Sequence, residues 1–252
     1  MTEVLPSPRM TGAVCVRVLT QLRRDHRTLA MLVVLPCAVL ALLWWMFRDA
    51  TAGGLRFDAL GPPLLALIPF IVMFLVTSVT TLRERTSGTL ERLLAMPLGK
   101  GDFLLGYAIA FGLMAAIQSV LAVVVCVWLL GMTVVGPVWM LVVVAVLDAV
   151  LGTALGLFVS AFARTEFQAV QFMPALVIPQ ILLCGLFIAR DAMPPVLRAI
   201  SDLLPLSYAV DAMQRVAGST ATGDAWRDLL VVVAWSLACL ALGAATLRRR
   251  SA

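Results

Sequence analysis

Chemistry has few places to happen in this chain. Asp148 is the one acidic residue deep inside a long apolar run. An aspartate near mid-bilayer costs roughly 2.5–3.5 kcal/mol, so it must face protein or water. Asp148, Gly152, Gly156 and Ser160 recur at i, i+4 steps, a polar, small-residue stripe suited to close helix contact. Two readings stand for Asp148. It is a polar point on a substrate path or a proton-linked site, or it is a buried, hydrogen-bonded or neutral acid that holds helices together. No basic residue inside a span offers to pair with it; Gln118, Ser119, Gln168, Gln171 and Gln180 are the candidate partners. His26 is the only histidine and sits among arginines, which argues against histidine-based metal or acid–base catalysis. The five cysteines are scattered with no CxxC pair, so neither a disulfide framework nor a zinc site is expected. No catalytic residue is assigned.

The second place is a polar block, Arg83-Glu-Arg-Thr-Ser-Gly-Thr-Leu-Glu-Arg-Leu-Leu-Ala-Met-Pro97, between two apolar runs. Thr86 or Ser87 can cap a short helix, and Gly88 allows a tight entry. Leu90, Leu93 and Leu94 share one face, with Glu91 and Arg92 turned away. Pro97 ends the helix, because proline lacks the N–H and disfavours helix before it. A two-turn helix with one apolar stripe, over about 87–97, buries that stripe in lipid or in a partner's groove.

The elements that position these residues are apolar runs of membrane-spanning length. The chain is 62% hydrophobic and 13% charged, where a soluble domain is about 45–50% apolar and 25% charged. Six spans are expected, at about 29–47, 60–82, 104–130, 138–162, 168–189 and 228–247. Residues 11–27 form a candidate interfacial helix, with Val14, Val18 and Leu22 at helical spacing and Arg17, Arg24 and Arg27 available to headgroups. With both termini cytoplasmic, thirteen Lys and Arg fall inside and six outside, as the positive-inside rule favours. The domain organisation expected is a cytoplasmic leader over 1–28 and one transmembrane domain over 29–252. In the last outer segment, about 190–210, Val196, Leu197, Ile200, Leu203 and Leu204 repeat at helical spacing between prolines. One or two short helices dipping back towards the bilayer are expected there. The fold class is therefore all-α and polytopic. Lys100 is the only lysine, and the bias to Arg, Ala, Val and Leu suggests a GC-rich bacterial genome and a bacterial cell membrane.

The block ending at Pro97, with Lys100-Gly-Asp-Phe-Leu-Leu-Gly106 after it, resembles the signature after the second span of type-2 ABC exporter permeases (ABC-2 permeases). A second resemblance lies in Pro179-Gln-Ile-Leu-Leu-Cys-Gly185, Met193-Pro194 and Pro205-Leu-Ser-Tyr208, followed by Asp211 and Arg215. Ser207 stands where that family usually has Thr, and Ala189-Arg190 departs from its aromatic-Pro pair. The likeness covers nearly the whole chain and is nearest to drug and lipid exporters.

The resemblance implies a permease that pairs with a second copy or a paralogue. A separate ATPase subunit would dock through Glu84, Gly88, Thr89, Leu90, Glu91, Leu93, Leu94 and Pro97. It also marks an outer re-entrant segment by Gly185, Met193, Pro194, Pro205 and Tyr208, while Asp148, Gly152, Gly156, Gln118 and Gln180 are candidates for a translocation path or helix packing on their polarity and spacing alone. This sequence has no G-x-x-x-x-G-K-[ST], so ATP and Mg²⁺ would be bound by the partner and no cofactor by this chain. Membrane lipid is the other expected partner, and nucleic acid is not expected. An ion- or proton-coupled secondary transporter using Asp148 is the alternative. It predicts paired intramembrane charges and internal symmetry, and the sequence has a lone Asp148 and no repeat.

Overall fold

The computed structural model describes residues 7–48, 57–87 and 100–246. Among them there is no strand. α1 (Pro8–Arg24) leads into α2 (His26–Phe47), followed by α3 (Phe57–Thr86) and α4 (Lys100–Val124). α4 widens into one π-helical turn over Val125–Leu129. Then come α5 (Val138–Ser160), α6 (Glu166–Leu183), a 3₁₀ turn at Arg190–Ala192, α7 (Pro195–Ser201), α8 (Pro205–Gly218) and α9 (Gly223–Thr246). Six helices are long and apolar enough to cross a membrane: α2, α3, α4 with its π turn, α5, α6 and α9. The end of α9, at Gly243, lies against Phe158 and Leu104, so these helices begin and finish at the end of the bundle that carries α1.

Local chemistry explains the helix ends. α1 stops at Asp25, not at residue 27, because Asp25 turns to cap α2: its Oδ1 accepts the Thr28 N–H at 3.1 Å and Oδ2 accepts the Thr28 hydroxyl at 2.6 Å. Thr165 caps α6 through the Gln168 N–H at 3.2 Å. Pro8, Pro195 and Pro205 sit in the first turns of α1, α7 and α8, where a missing N–H costs nothing. α6 ends at Leu183, six residues short of the apolar run, because Gly185 takes φ +93° and reverses the chain. The segment after it forms two helices, and α8 runs on to Gly218 with one face wholly buried.

α5 is the hub, packed on α3, α4, α8 and α9. Lipid tails are as apolar as leucine, so spans associate by close packing rather than by hydrophobic burial. Gly152 and Gly156 provide it: a Cβ there would stand 2.4 Å from the Phe70 carbonyl oxygen and 2.6 Å from that of Phe74. α3 holds Pro62, Pro63 and Pro69 within one continuous helix. By contrast, α2 and α6 bury only 17% of their apolar windows, against 67% for α3, so they form the rim.

Candidate functional site

Three places carry the side chains singled out from the sequence. The first is the α1 end. Glu84 lies on the last turn of α3, buried, and accepts Arg17 Nη2 at 2.9 Å and Gln21 Nε2 at 2.8 Å. Burial opposes the charge on Arg17, but the hydrogen bond and attraction of Glu84 raise the guanidinium pKa above its ordinary value. Asp102, on the first turn of α4 and 1% exposed, accepts the Ser7 N–H at 2.7 Å and the Thr11 hydroxyl at 2.9 Å from the start of α1. Gly106 makes this approach possible, since a Cβ there would meet Val14 Cγ1 at 2.6 Å and the Thr11 carbonyl oxygen at 3.0 Å. Arg83 forms a two-point pair with Glu166 of α6 at 2.9 and 3.1 Å, and Arg85 donates to the Ser160 carbonyl at 2.6 Å.

Glu84 and Asp102 bracket residues 88–99. The residues that flank that connection on both sides are thus fastened to α1. Gly88, Thr89, Leu90, Glu91, Leu93, Leu94 and Pro97 lie outside the described residues. The sequence marked Glu84 but missed Asp102 and Gln21, and it assigned Arg17 to lipid headgroups, whereas Arg17 turns to Glu84. Their partners are 63 to 95 residues away, and no local pattern encodes such a distance.

The second place is the interior of the bundle. Asp148 is fully buried on α5. Neither carboxylate oxygen has a hydrogen-bond partner, and among the described residues no cation pairs with it. Gln118 is 1% exposed with both amide atoms unpartnered. Gln180 donates to the Leu176 carbonyl of its own helix at 3.1 Å, while its Oε1 has no partner. Ser119, beside Gln118, donates to the Ala145 carbonyl at 3.0 Å and ties α4 to α5. The three marked polar groups are therefore not joined by hydrogen bonds, whereas Gly152 and Gly156 are committed to the seam with α3.

The third place is the opposite end. Gly185, in its positive-φ turn, has the Arg190 side chain beside it. Arg190 bridges Asp211 and Asp202 and lies over the Tyr208 ring at 5.0 Å, and the Tyr208 hydroxyl donates to the Asp202 carbonyl at 2.8 Å. Burial raises the Asp211 pKa above the usual carboxylate value, against the pull of Arg190. Ser201 donates to the Leu183 carbonyl at 2.7 Å, which closes α7 onto the end of α6. Met193 is buried, Pro194 precedes α7 and Pro205 opens α8. Arg190, a departure from the family pattern in the sequence, is the hub of this cluster. Its charge within a semi-apolar segment was the available signal.

Six spans around a glycine seam, an amphipathic first helix and a folded-back segment before the last span define a multi-pass membrane domain. Residues 10–217 match the family described as ABC-2 type transporter, and the chain belongs to that family. It is 29% identical over 154 residues to a protein of Escherichia coli K12 named "Probable multidrug ABC transporter permease YbhS", covering 61% of this chain and 41% of that one. It is 27% identical over 169 residues to "Probable multidrug ABC transporter permease YbhR" of the same organism, covering 67% and 46%. "ABC transporter G family member 20" of Dictyostelium discoideum is 24% identical over 181 residues, covering 71% of this chain and 25% of that protein. The chain thus spans less than half the length of these relatives.

Proposed function

We propose that this chain is the membrane-spanning permease subunit of an ATP-driven exporter in a bacterial cytoplasmic membrane. It pairs with a second copy or a paralogue to form a path for a hydrophobic or amphipathic substrate, of the drug, antibiotic or lipid kind. A separate ATPase subunit binds ATP and Mg²⁺ and docks on the cytoplasmic connection at about 87–97. The α1 end is the cytoplasmic end in this reading.

The observation that carries the reading is the double fastening of that connection. Glu84 before it and Asp102 after it are both held by α1, so a push on the connection reaches α1, α3 and α4 together. Glu166 and Ser160 extend the reach to α6 and α5 through Arg83 and Arg85. The relatives named as probable multidrug ABC transporter permeases support a permease role and a drug-like substrate.

Co-purification of the tagged chain from its native membrane, with mass spectrometry of what accompanies it, tests the proposal. A stoichiometric partner with a P-loop ATPase domain is expected. A chain that emerges alone and supports proton-dependent flux in vesicles would replace it with secondary transport. The unpartnered carboxylate of Asp148 is the observation that favours that second reading, and Asp148→Asn would then abolish the flux.

A further inference from the structure

The corner where α1 passes into α2 carries Arg23, Arg24 and Arg27, all exposed. Among the described residues no ion pair engages them; the pairs at this end of the bundle use Arg17 and Arg83 instead. The one acid in the corner, Asp25, accepts the Thr28 N–H and hydroxyl. Three guanidinium charges against one carboxylate leave an excess of positive charge. The apolar stripe of α1 does not reach lipid, because Val14, Val18 and Leu22 are buried in one cluster with Phe103, Tyr107 and Phe111 of α4. What α1 offers the membrane is its charged C-terminal end.

Such a patch suits either an acidic protein surface or an anionic lipid, and the face of α2 decides between them. Arg27, Met31, Val34, Leu35, Leu42 and Trp45 fall on one face of α2, within about 100° of one another at 3.6 residues per turn. All six are exposed, Met31 and Trp45 each by 64%. Arg27 and Trp45 stand 18 residues apart. That is about 27 Å along the helix, close to the roughly 30 Å of a hydrocarbon core. The face therefore reads as a cation, an apolar stripe of membrane length and an interfacial tryptophan. A soluble partner could meet Arg27 but not the apolar residues that continue from it without a break. A phospholipid meets both, with its head at Arg27 and a chain along Met31, Val34 and Leu35.

We propose that the α1–α2 corner binds an anionic phospholipid of the leaflet on the α1 side. Its phosphate sits at Arg27, where forked N–H donors match phosphate oxygens, and Arg23 and Arg24 add to the attraction. The ammonium of a zwitterionic head meets the same arginines as a like charge, so net negative charge is selected. The proposal stands whether or not the chain is an exporter, since it rests on the charge of this corner and the exposed face of α2.

The test reconstitutes the full chain in nanodiscs of mixed phosphatidylglycerol and phosphatidylcholine and reads retained lipid by native mass spectrometry. Preferential retention of phosphatidylglycerol is expected. Arg27→Gln should lower that preference about fivefold, the scale of one basic residue at an anionic surface. Arg23→Gln, Arg24→Gln and Arg27→Gln combined should erase it, whereas the three Arg→Lys changes combined should keep most of it. All three side chains are exposed, so the fold should survive, and thermal unfolding checks that it does. Arg198→Gln removes the same charge from a side chain paired with Asp191 at the opposite end and should leave the preference intact. Equal retention of the two lipids, or a preference that survives the triple Gln variant, would overturn the site. Spontaneous cross-linking of Met31→Cys between two chains in the membrane would seat a second copy on this face and overturn the lipid as its occupant.

Discussion

The α1 end of the bundle and the Arg190 cluster are held together by different kinds of contact. At the α1 end the pairs join residues far apart in sequence: Arg17 and Gln21 with Glu84, Ser7 and Thr11 with Asp102, Arg83 with Glu166. In the folded-back segment at the opposite end the Arg190 pairs are local, reaching 12 and 21 residues to Asp202 and Asp211, although Asp58 at that same end takes Thr133 from 75 residues away. A local cluster can form and break as a unit. A long-range clamp cannot loosen at one element without releasing several. The Arg190 cluster is thus built as a local insert, and the α1 end as a junction.

Substitutions can break that contrast. Arg190→Ala should have the largest effect, since it leaves Asp211 and Asp202 without their cation, Asp211 in a mostly buried site; a loss of about 2–4 kcal/mol is expected. Hydrogen exchange should rise across 184–218 and stay unchanged in α1. Rising exchange in α1 as well would show the ends to be one cooperative unit.

Gly106→Val comes next. The added side chain meets Val14 and the Thr11 carbonyl and should cost about 1–3 kcal/mol. Exchange should rise in α1 and at Asp102 while the Arg190 cluster stays protected. Glu84→Gln follows, at about 1 kcal/mol, because an amide keeps a hydrogen bond and loses the ion pair with partly exposed Arg17. In the exporter reading it should weaken stimulation of ATP hydrolysis by substrate more than it weakens assembly with the ATPase. Full stimulation would remove Glu84 from the transmission route.

Charge introduced at Leu93 or Leu94 should cut ATPase co-purification with little change in thermal stability. Normal transport in such a variant would end the docking role of the 87–97 connection.

The smallest effect is one of pH. Asp25 is held below the usual carboxylate value by the Thr28 hydroxyl and N–H, so its contribution is present above the unfolded pKa and lost as pH falls through the folded one. Asp211 is raised, so its contribution is present below the unfolded pKa and lost as pH rises through the folded one. Acidification through about pH 5 to 3 should therefore loosen the start of α2 more than α8. Exchange measured over that range separates them, and equal loosening would contradict the sign given for Asp211.

Much of this architecture is legible in the residues. The spans follow from apolar runs, and α1 follows from Val14, Val18 and Leu22, all three of which are buried. Helix ends are less legible, because Asp25 serves α2 rather than α1 and Gly185 cuts α6 short. α3 runs straight through Pro62, Pro63 and Pro69, and its packing on α5 compensates for what those prolines disfavour locally. The small-residue stripe at Gly152 and Gly156 was visible in sequence, but its partner was not, since nothing in α5 names Phe70 or Phe74. Asp102 and Tyr107 escaped notice because each looks ordinary until α1 is laid across it.

α3 has the layout of a lever. Its contact with Gly152 at Phe70 lies fourteen residues from Glu84 and thirteen from Phe57. At 1.5 Å per residue that is about 21 and 20 Å, two arms of nearly equal length about one fulcrum. The arms differ in stiffness. From Phe70 to Glu84 there is no proline, whereas Pro62, Pro63 and Pro69 take three rungs from the hydrogen-bond ladder of the other arm. In the exporter reading, a displacement applied at Glu84 would reach the seam along the proline-free arm and be taken up beyond it as bending.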